Sequence, residues 1–361
     1  MPGMSAIKCN INPGLMQAKA GACRGRSGYV ASASPCFYVS SPMSFADPEA
    51  AGKIASAPTM AETSPLLSIG LAVYNADRYL EETLESFLAQ TFTDFELIIS
   101  DNASTDRTEA ICRGFASRDA RIKYFRNPAN LGAAPNFNRT FHLSKGRYFK
   151  FAAYDDLHAP EYLDRCIRLL DADPGAVLSH SKMIDIDAAG KPIRELDDEL
   201  HTGSPSPSRR FRYLVCVNHS CVHVFGVIRR EALAGTPLIG GYVGSDRVLL
   251  AELGMKGRFL EVPEPLFFHR EHPERSTRAY PDMRRRTQWF DSSKANVIAL
   301  PAFRLLQEYL RAIGRSDLGL PDRALCYLQL IRWLKRNGSN LRQDGQYWLR
   351  HRFFPARPGR P

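Results

Sequence analysis

Asp155 and Asp156 stand side by side after a basic, aromatic and apolar run, Arg147-Tyr148-Phe149-Lys150-Phe151-Ala152-Ala153-Tyr154. Two adjacent acids with no Lys or Arg in the next few residues repel each other unless a cation lies nearby. Hard oxygen ligands of this kind suit a divalent metal. The run before the pair predicts a strand, and Leu157-His158-Ala159-Pro160 leads into a helical pattern. The pair would therefore sit at the carboxyl edge of a sheet, where α/β folds bind ligands. The plain alternative is an acidic strand end feeding a helix N-terminus, where carboxylates are favoured in any case.

Other residues of chemical interest fall at similar places. Asp101 follows the apolar run Phe95-Glu96-Leu97-Ile98-Ile99-Ser100 and opens the polar string Asn102-Ala103-Ser104-Thr105-Asp106. Gly244-Ser245-Asp246 precedes the helical run Val248 to Leu253, so Asp246 reads at least as an N-cap. Asp185-Ile186-Asp187 is literally D-x-D, yet it leads into a hairpin turn at Asp187-Ala188-Ala189-Gly190-Lys191. His219, Cys221 and His223 would share one side of a strand and suggest zinc, but no fourth ligand is evident.

The elements that must position these groups alternate at short intervals. Leu66 to Tyr74 is a nearly continuous apolar run, the mark of a strand buried on both faces. Asn75 and Asp77 would cap the following helix, in which Tyr79, Leu80, Thr83, Leu84, Phe87 and Leu88 recur at helical spacing. Further strands are predicted over 95–100, 122–125, 147–154 and 176–180, and Phe225 to Arg230 reads as one more. Strand and helix alternating in this way make a largely parallel, doubly wound α/β sheet. Residues 197–210, with Gly203, Pro205, Pro207 and several Ser, read as a mobile loop. Residues 1–64, rich in Ala, Ser, Gly and Pro, read as a disordered leader or the result of a start codon placed too early, with Met60 a plausible start. The folded domain is expected over 65–281 and a basic helical region over 282–361.

Bulk composition narrows the function. The chain has 361 residues, 44% of them hydrophobic, and a net charge of +10. From Arg284 to Pro361 there are sixteen Lys or Arg against five acids, which accounts for the whole imbalance. Basic residues are not interleaved with aromatics on the central fold, which argues against nucleic acid and for a tail that meets anionic lipid or glycan. Eight cysteines form no CxxC pair, which excludes a zinc ribbon and a disulfide framework and fits a reducing cytosol. No apolar stretch is long enough to span a bilayer, so membrane association would be peripheral. No glycine lies between Gly70 and Gly114, so the Gly-rich turn of a dinucleotide enzyme is missing, as is any GxxxxGK[ST]. A nucleoside diphosphate bound here would need its charge met by a metal.

Four strings carry a resemblance in their order and spacing: Val73-Tyr74-Asn75, Ile99 to Asp106, Asn130-Leu131-Gly132 with Asn136, and Asp155-Asp156 before Pro160. Together they resemble the family 2 glycosyltransferases of the GT-A fold, over about residues 66–275. The resemblance implies inverting transfer of a sugar from a nucleotide-sugar donor to a hydroxyl acceptor, in cell-surface polysaccharide or glycan synthesis. It implies a GT-A, Rossmann-like sheet with the helical region as a C-terminal extension. Ala72, Tyr74, Asn75, Asp101 and Asn136 fall in the region that holds the nucleotide. Asp155 and Asp156 match the metal and ribose motif, with Mg²⁺ or Mn²⁺ as cofactor. Ala153 departs from that motif, which leaves two carboxylates and not three. Asp246 matches the base that deprotonates the acceptor, and Arg270 and His272 match a string beside the diphosphate. The acceptor would be a glycan, a lipid-linked sugar or a small hydroxyl compound, met in the cytoplasm or at the inner membrane face. Two other readings are a sugar nucleotidyltransferase, for which Asn75-Ala76-Asp77-Arg78 lacks the Gly-rich basic segment, and a nucleotide-sugar-binding protein without turnover.

Overall fold

The structure, a computed structural model, describes residues 64–196, 200–280, 283–294 and 300–353. The leader expected over 1–64 therefore lies, but for Ser64, outside the described residues. Four parallel strands form one half of the sheet: β1 (Leu67–Val73), β2 (Phe95–Asp101), β3 (Ile122–Arg126) and β4 (Tyr148–Ala152). Each is joined to the next by a helix, α1 (Leu80–Leu88), α2 (Thr108–Ala116) and α3 (Ala133–Leu143). The apolar runs that predicted these strands have no polar face to expose, and β1 and β2 are buried along their whole length.

After β4 the chain makes a two-residue strand, β5 (Leu157–His158), then α4 (Tyr162–Ala172), β6 (Ala176–Ile186) and β7 (Pro192–Leu196). It continues through α5 (Pro207–Cys216), β8 (Val227–Arg229), α6 (Arg230–Ala234), α7 (Ser245–Lys256) and β9 (Arg258–Arg270). Strand order is β3-β2-β1-β4-β8-β6-β9-β5, with β7 paired to β6. β8 runs antiparallel to both β4 and β6, so β6 and its parallel partner β9 point the same way as β4. The carboxyl ends of β1, β2, β4, β6 and β9 thus share one edge. Short helices α8 (Ser276–Ala279) and α9 (Met283–Phe290) follow, and α10 (Pro301–Arg315) and α11 (Leu320–Phe353) close the described chain.

Two apolar layers cover the sheet. Alternate residues of β1, Leu67, Ile69, Leu71 and Val73, join one with α1, α2 and α4. Phe149 and Phe151 of β4 join the other, which α3, α5, α7, α10 and α11 complete with Phe211, Leu250, Tyr309 and Trp333. The basic C-terminal helices are in this way part of the same core. Gly70 lets α3 approach β1, since a Cβ there would lie 2.2 Å from Thr140 Oγ1.

Several local expectations change. Asn75 and Asp77 do not cap α1, whose N-terminal residue Tyr79 has no side-chain cap; Asn75 instead crosses to the loop after β2. β4 ends at Ala152, so Asp155 and Asp156 lie in a turn and Leu157 pairs with Phe268 of β9. The expected loop over 197–210 gives way at Pro207, which opens α5 with Ser206 accepting from the Arg209 amide; residues 197–199 lie outside the described residues. His219, Cys221 and His223 are not on a strand: Cys221 is left-handed (φ 61°) and leads into a 3₁₀ turn, Val222–Phe225.

Candidate active site

The carboxyl edge of β1 and β2 is held by a polar cluster. Asp101 is wholly buried, and its carboxylate accepts from the Ser104 amide (2.9 Å), Ser104 Oγ (2.6 Å), Tyr124 Oη (2.7 Å) and Arg126 Nη1 (2.6 Å). Four donors use about the whole acceptor capacity of a carboxylate. Asn136, from α3, donates to the carbonyls of Val73 (3.3 Å) and Ser100 (2.8 Å) and accepts from Ser100 Oγ and Asn127. It clamps β1 to β2 with both its oxygen and its nitrogen engaged inside the protein. Asn75 takes a left-handed conformation (φ 48°), and its Oδ1 accepts from the Thr105 amide at 2.9 Å. Ala72 is buried beneath this edge, while the Tyr74 ring is exposed beside it.

The second cluster joins the turn after β4 to the end of β9. Asp156 is buried; its Oδ1 accepts from the Arg270 amide (3.0 Å), and its backbone carbonyl accepts from Thr83 Oγ1 (3.0 Å). Burial, with the Asp155 charge second, pushes its carboxyl up to about 6. Asp155 is less enclosed, and its Oδ2 lies 2.9 Å from His272 Nε2. His272 Nδ1 faces Glu274 Oε2 at 3.0 Å. With a carboxylate on each ring nitrogen, His272 is raised above its ordinary value, chiefly by the bond to Asp155. The fully buried Arg270 side chain donates to the Asp155 carbonyl (2.9 Å), the Ala188 carbonyl (3.2 Å) and Glu82 Oε2 (2.6 Å), over the Tyr79 ring. Its guanidinium ties α1, the β6–β7 turn and the acidic turn together.

The acidic pair is therefore asymmetric. Asp156 is buried with Oδ1 bonded to the backbone of β9, and Asp155 is the less enclosed carboxylate. Asp155 and His272 make a mixed oxygen and nitrogen donor set of the kind Mn²⁺ accepts, so these residues fit the expected cation. One other group could hold a cation among the described residues: Asp185, His269 and Glu271, whose ligand atoms lie within 4.8 Å of one another. There Asp185 already binds His269 (2.9 Å) and Arg194 (2.8 Å), and Glu271 binds Arg275 and Arg278. Guanidinium groups fill that place. Asp187 caps its own turn, accepting from the Ala189 and Lys191 amides.

Asp246 lies in the first turn of α7, after left-handed Gly244 (φ 84°). It caps nothing beyond the next amide, Arg247 at 2.8 Å, and burial raises its carboxyl above the ordinary range. Arg247 fastens that turn to the carbonyls of Val217 (3.3 Å) and His219 (3.0 Å). Among the described residues no ion pair or hydrogen bond joins Asp246 to the Asp155 cluster. His219 spends both ring nitrogens on backbone groups, the Leu214 carbonyl and the Cys221 amide, which removes it as a zinc ligand. Glu82, Glu274, Tyr124 and Arg126 were not read as site residues from the sequence. Glu274 was findable, because His272-Pro273-Glu274 continues the charge alternation of the string before it; the other three depend on pairings between distant elements.

Residues 68–235 match the sequence model of glycosyl transferase family 2. The chain carries a family 2 glycosyltransferase domain. An uncharacterized glycosyltransferase of Methanocaldococcus jannaschii is 30% identical over 139 residues, 38% of this chain and 48% of that one. Glycosyltransferase GlyG of Streptococcus pneumoniae is 34% identical over 94 residues, 26% of this chain and 31% of that one. The chain spans about a third to a half of the length of the curated relatives it matches. Among solved structures, S. aureus TarS 1–349 in complex with UDP superimposes with a TM-score of 0.55 at 16% identity, over 77% of this chain and 73% of that one. A mannosyltransferase of Pyrobaculum calidifontis, in complex with GDP-Man and Mn2+, gives 0.50 at 18% identity, over 82% and 78%. The glycosyltransferase domain has the GT-A fold of these neighbours, a mostly parallel α/β sheet continued by C-terminal helices. No helix of the described residues is long and apolar enough to cross a membrane.

Proposed function

We propose that this chain is an inverting glycosyltransferase that moves a sugar from a nucleoside diphosphate sugar to a hydroxyl acceptor. The observation that carries the reading is the asymmetric acidic pair in a family 2 domain: Asp155 is accessible beside His272, while Asp156 is locked to the β9 backbone. The nucleotide would lie along the carboxyl edge, its base against Tyr74 and the loop that Asp101 holds through Ser104 and Arg126. Asp101 would shape base recognition through those neighbours. Asp155 and His272 would hold Mg²⁺ or Mn²⁺, and Asp156 would set the height of Arg270 and the end of β9. A bound divalent cation would offset the charge gathering on the departing diphosphate.

Asp246 would take the acceptor proton. The acceptor oxygen forms its bond to the anomeric carbon while the bond from that carbon to the diphosphate oxygen breaks, and the proton passes to the Asp246 carboxylate. The raised pKa of Asp246 suits a group that must hold that proton at the moment of attack. The solved neighbours in complex with UDP, UDP-GlcNAc and GDP-Man support a nucleotide-sugar donor, and the setting we propose is cell-surface polysaccharide or glycan synthesis in the cytoplasm. A lipid-carried acceptor would bring the enzyme to the inner membrane face, where the basic C-terminal helices would make a peripheral contact.

The test is release of nucleoside diphosphate from a panel of sugar nucleotides with Mn²⁺ and hydroxyl acceptors. Diphosphate release that requires Asp246 supports the reading. Pyrophosphate released when the protein is given a nucleoside triphosphate and a sugar 1-phosphate, with no diphosphate from any sugar nucleotide, would indicate a nucleotidyltransferase, and binding without turnover on every donor a carrier.

A further inference from the structure

The inner face of α11 is fully accounted for. Cys326, Leu330 and Trp333 are buried in the core, and Asp344 accepts from the Ala302 (2.8 Å) and Phe303 (3.1 Å) amides that open α10. Among the described residues nothing covers the outer face. Leu328, Ile331, Lys335, Arg342, Leu349 and Phe353 follow one another at steps of three, four or seven residues, which places them on one stripe of the helix. Leu328 is 53% exposed, Ile331 50%, Leu349 50% and Phe353 62%. The two apolar ends of the stripe, Ile331 and Leu349, are about 27 Å apart at 1.5 Å per residue. Tyr347 and Trp348 are exposed on the same turns but off the stripe.

The charge on this helix has one sign. Residues 320–353 hold seven Lys or Arg against two acids, and one of the two, Asp344, is consumed as the α10 cap. A second copy laid against the stripe would bring Lys335 and Arg342 up to like charges with no acid to answer them. An anionic lipid surface answers both features, taking the leucines and aromatics at headgroup depth and the cations among the phosphates.

We propose that the outer face of α11 docks this protein in the plane of an anionic bilayer. The proposal rests on the glycosyltransferase reading only for its purpose, delivery of the enzyme to a lipid-carried acceptor. The geometry of docking stands on the helix alone. Leu328 and Ile331 would enter at one end, Leu349 and Phe353 at the other, with Lys335 and Arg342 on phosphates between them.

The experiment is co-sedimentation of the full chain with vesicles of phosphatidylcholine and of phosphatidylcholine mixed with phosphatidylglycerol. The protein is expected to pellet with the mixed vesicles and to stay in solution with the neutral ones. The double variant Leu328→Glu with Ile331→Glu, at exposed positions that the fold does not use, should bind the mixed vesicles about tenfold more weakly. Lys335→Glu with Arg342→Glu should lose binding to a similar degree. Equal pelleting of wild type and both variants would overturn the proposal, as would no binding to either vesicle. A wild-type dimer by light scattering that the leucine variant makes monomeric would also overturn it, because the face would then belong to a second copy. Diphosphate release from the panel of sugar nucleotides with Mn²⁺ and hydroxyl acceptors, in vesicle-free buffer, is measured on the same samples. Vesicle binding without diphosphate release would leave this proposal standing and remove the enzymatic one, and the reverse result would do the opposite.

Discussion

The two clusters along the carboxyl edge differ in what they leave free. Around Asp101 and Asn136 every strong acceptor is spent inside the protein, on Ser104, Tyr124, Arg126, Ser100 and Asn127. Around Asp155 the bonds run between titratable groups: the imidazole of His272, an exposed Glu274 and a partly enclosed carboxylate. A closed network fixes the shape of a loop before a ligand arrives, whereas an open one can exchange a proton or a side chain for a cation. The first cluster is thus closed and the second, on the reading proposed above, is the one left to bind, although both read as acids at strand ends.

Substitutions should separate the two behaviours. The largest effect is expected outside both, at Asp246, where Asn keeps the shape of the side chain but cannot accept a proton. Transfer by Asp246→Asn should fall by about 10³, in line with the loss of a general base, with nucleotide affinity unchanged by calorimetry. Normal transfer by this variant would move the base elsewhere. Asp101→Ala comes next and should act on the fold. It strands Arg126, Tyr124 and Ser104, so denaturant unfolding should show about 3 kcal/mol of lost stability. If it instead lost nucleotide affinity at full stability, the contrast between closed and open clusters would fail. Asp155→Ala should show the opposite pattern, a small change in unfolding with about 10- to 100-fold weaker Mn²⁺-dependent binding of nucleoside diphosphate. Chelation of the wild type should reproduce that loss, and Asp156→Ala should unfold the protein more readily than Asp155→Ala does.

The strands, the helices and the edge on which the acids fall were legible because the apolar runs of β1 and β2 have a single buried solution, and alternation with helices forces parallel pairing. The roles within the edge were less legible. The same residue type, Asp at a strand end, becomes a saturated anchor at 101, a buried strut at 156 and a partly enclosed partner of His272 at 155. What separates them is the company supplied by Arg126 from β3, by the Arg270 amide from β9 and by His272 beyond it. Those partners lie between 25 and 117 residues away in sequence. Asn75 shows the same limit: it reads as a helix cap, yet its side-chain oxygen is claimed by the Thr105 amide, which arrives in the loop after β2. Pro207 was the reverse case, a helix start signal hidden in a string of Ser and Pro that read as loop.

The smallest expected effect concerns pH and again distinguishes Asp246 from the clusters. Burial is the first cause of its raised pKa, so the ionised form that catalysis needs is the costly form. Below that pKa the carboxyl is protonated and cannot accept a proton from the acceptor. The acid limb of kcat/KM should therefore lie above the ordinary carboxylate range, with a tenfold fall per pH unit beneath it. The same sign has a consequence for folding. A carboxyl whose folded pKa is raised costs stability once pH passes its unfolded value, and the cost is fully present above the folded pKa. Asp246→Asn removes that cost, so the inactive variant should be slightly more stable than the wild type at neutral pH and equal to it in acid. A stability difference that did not shrink on acidification would mean that burial of the charge is not what perturbs Asp246.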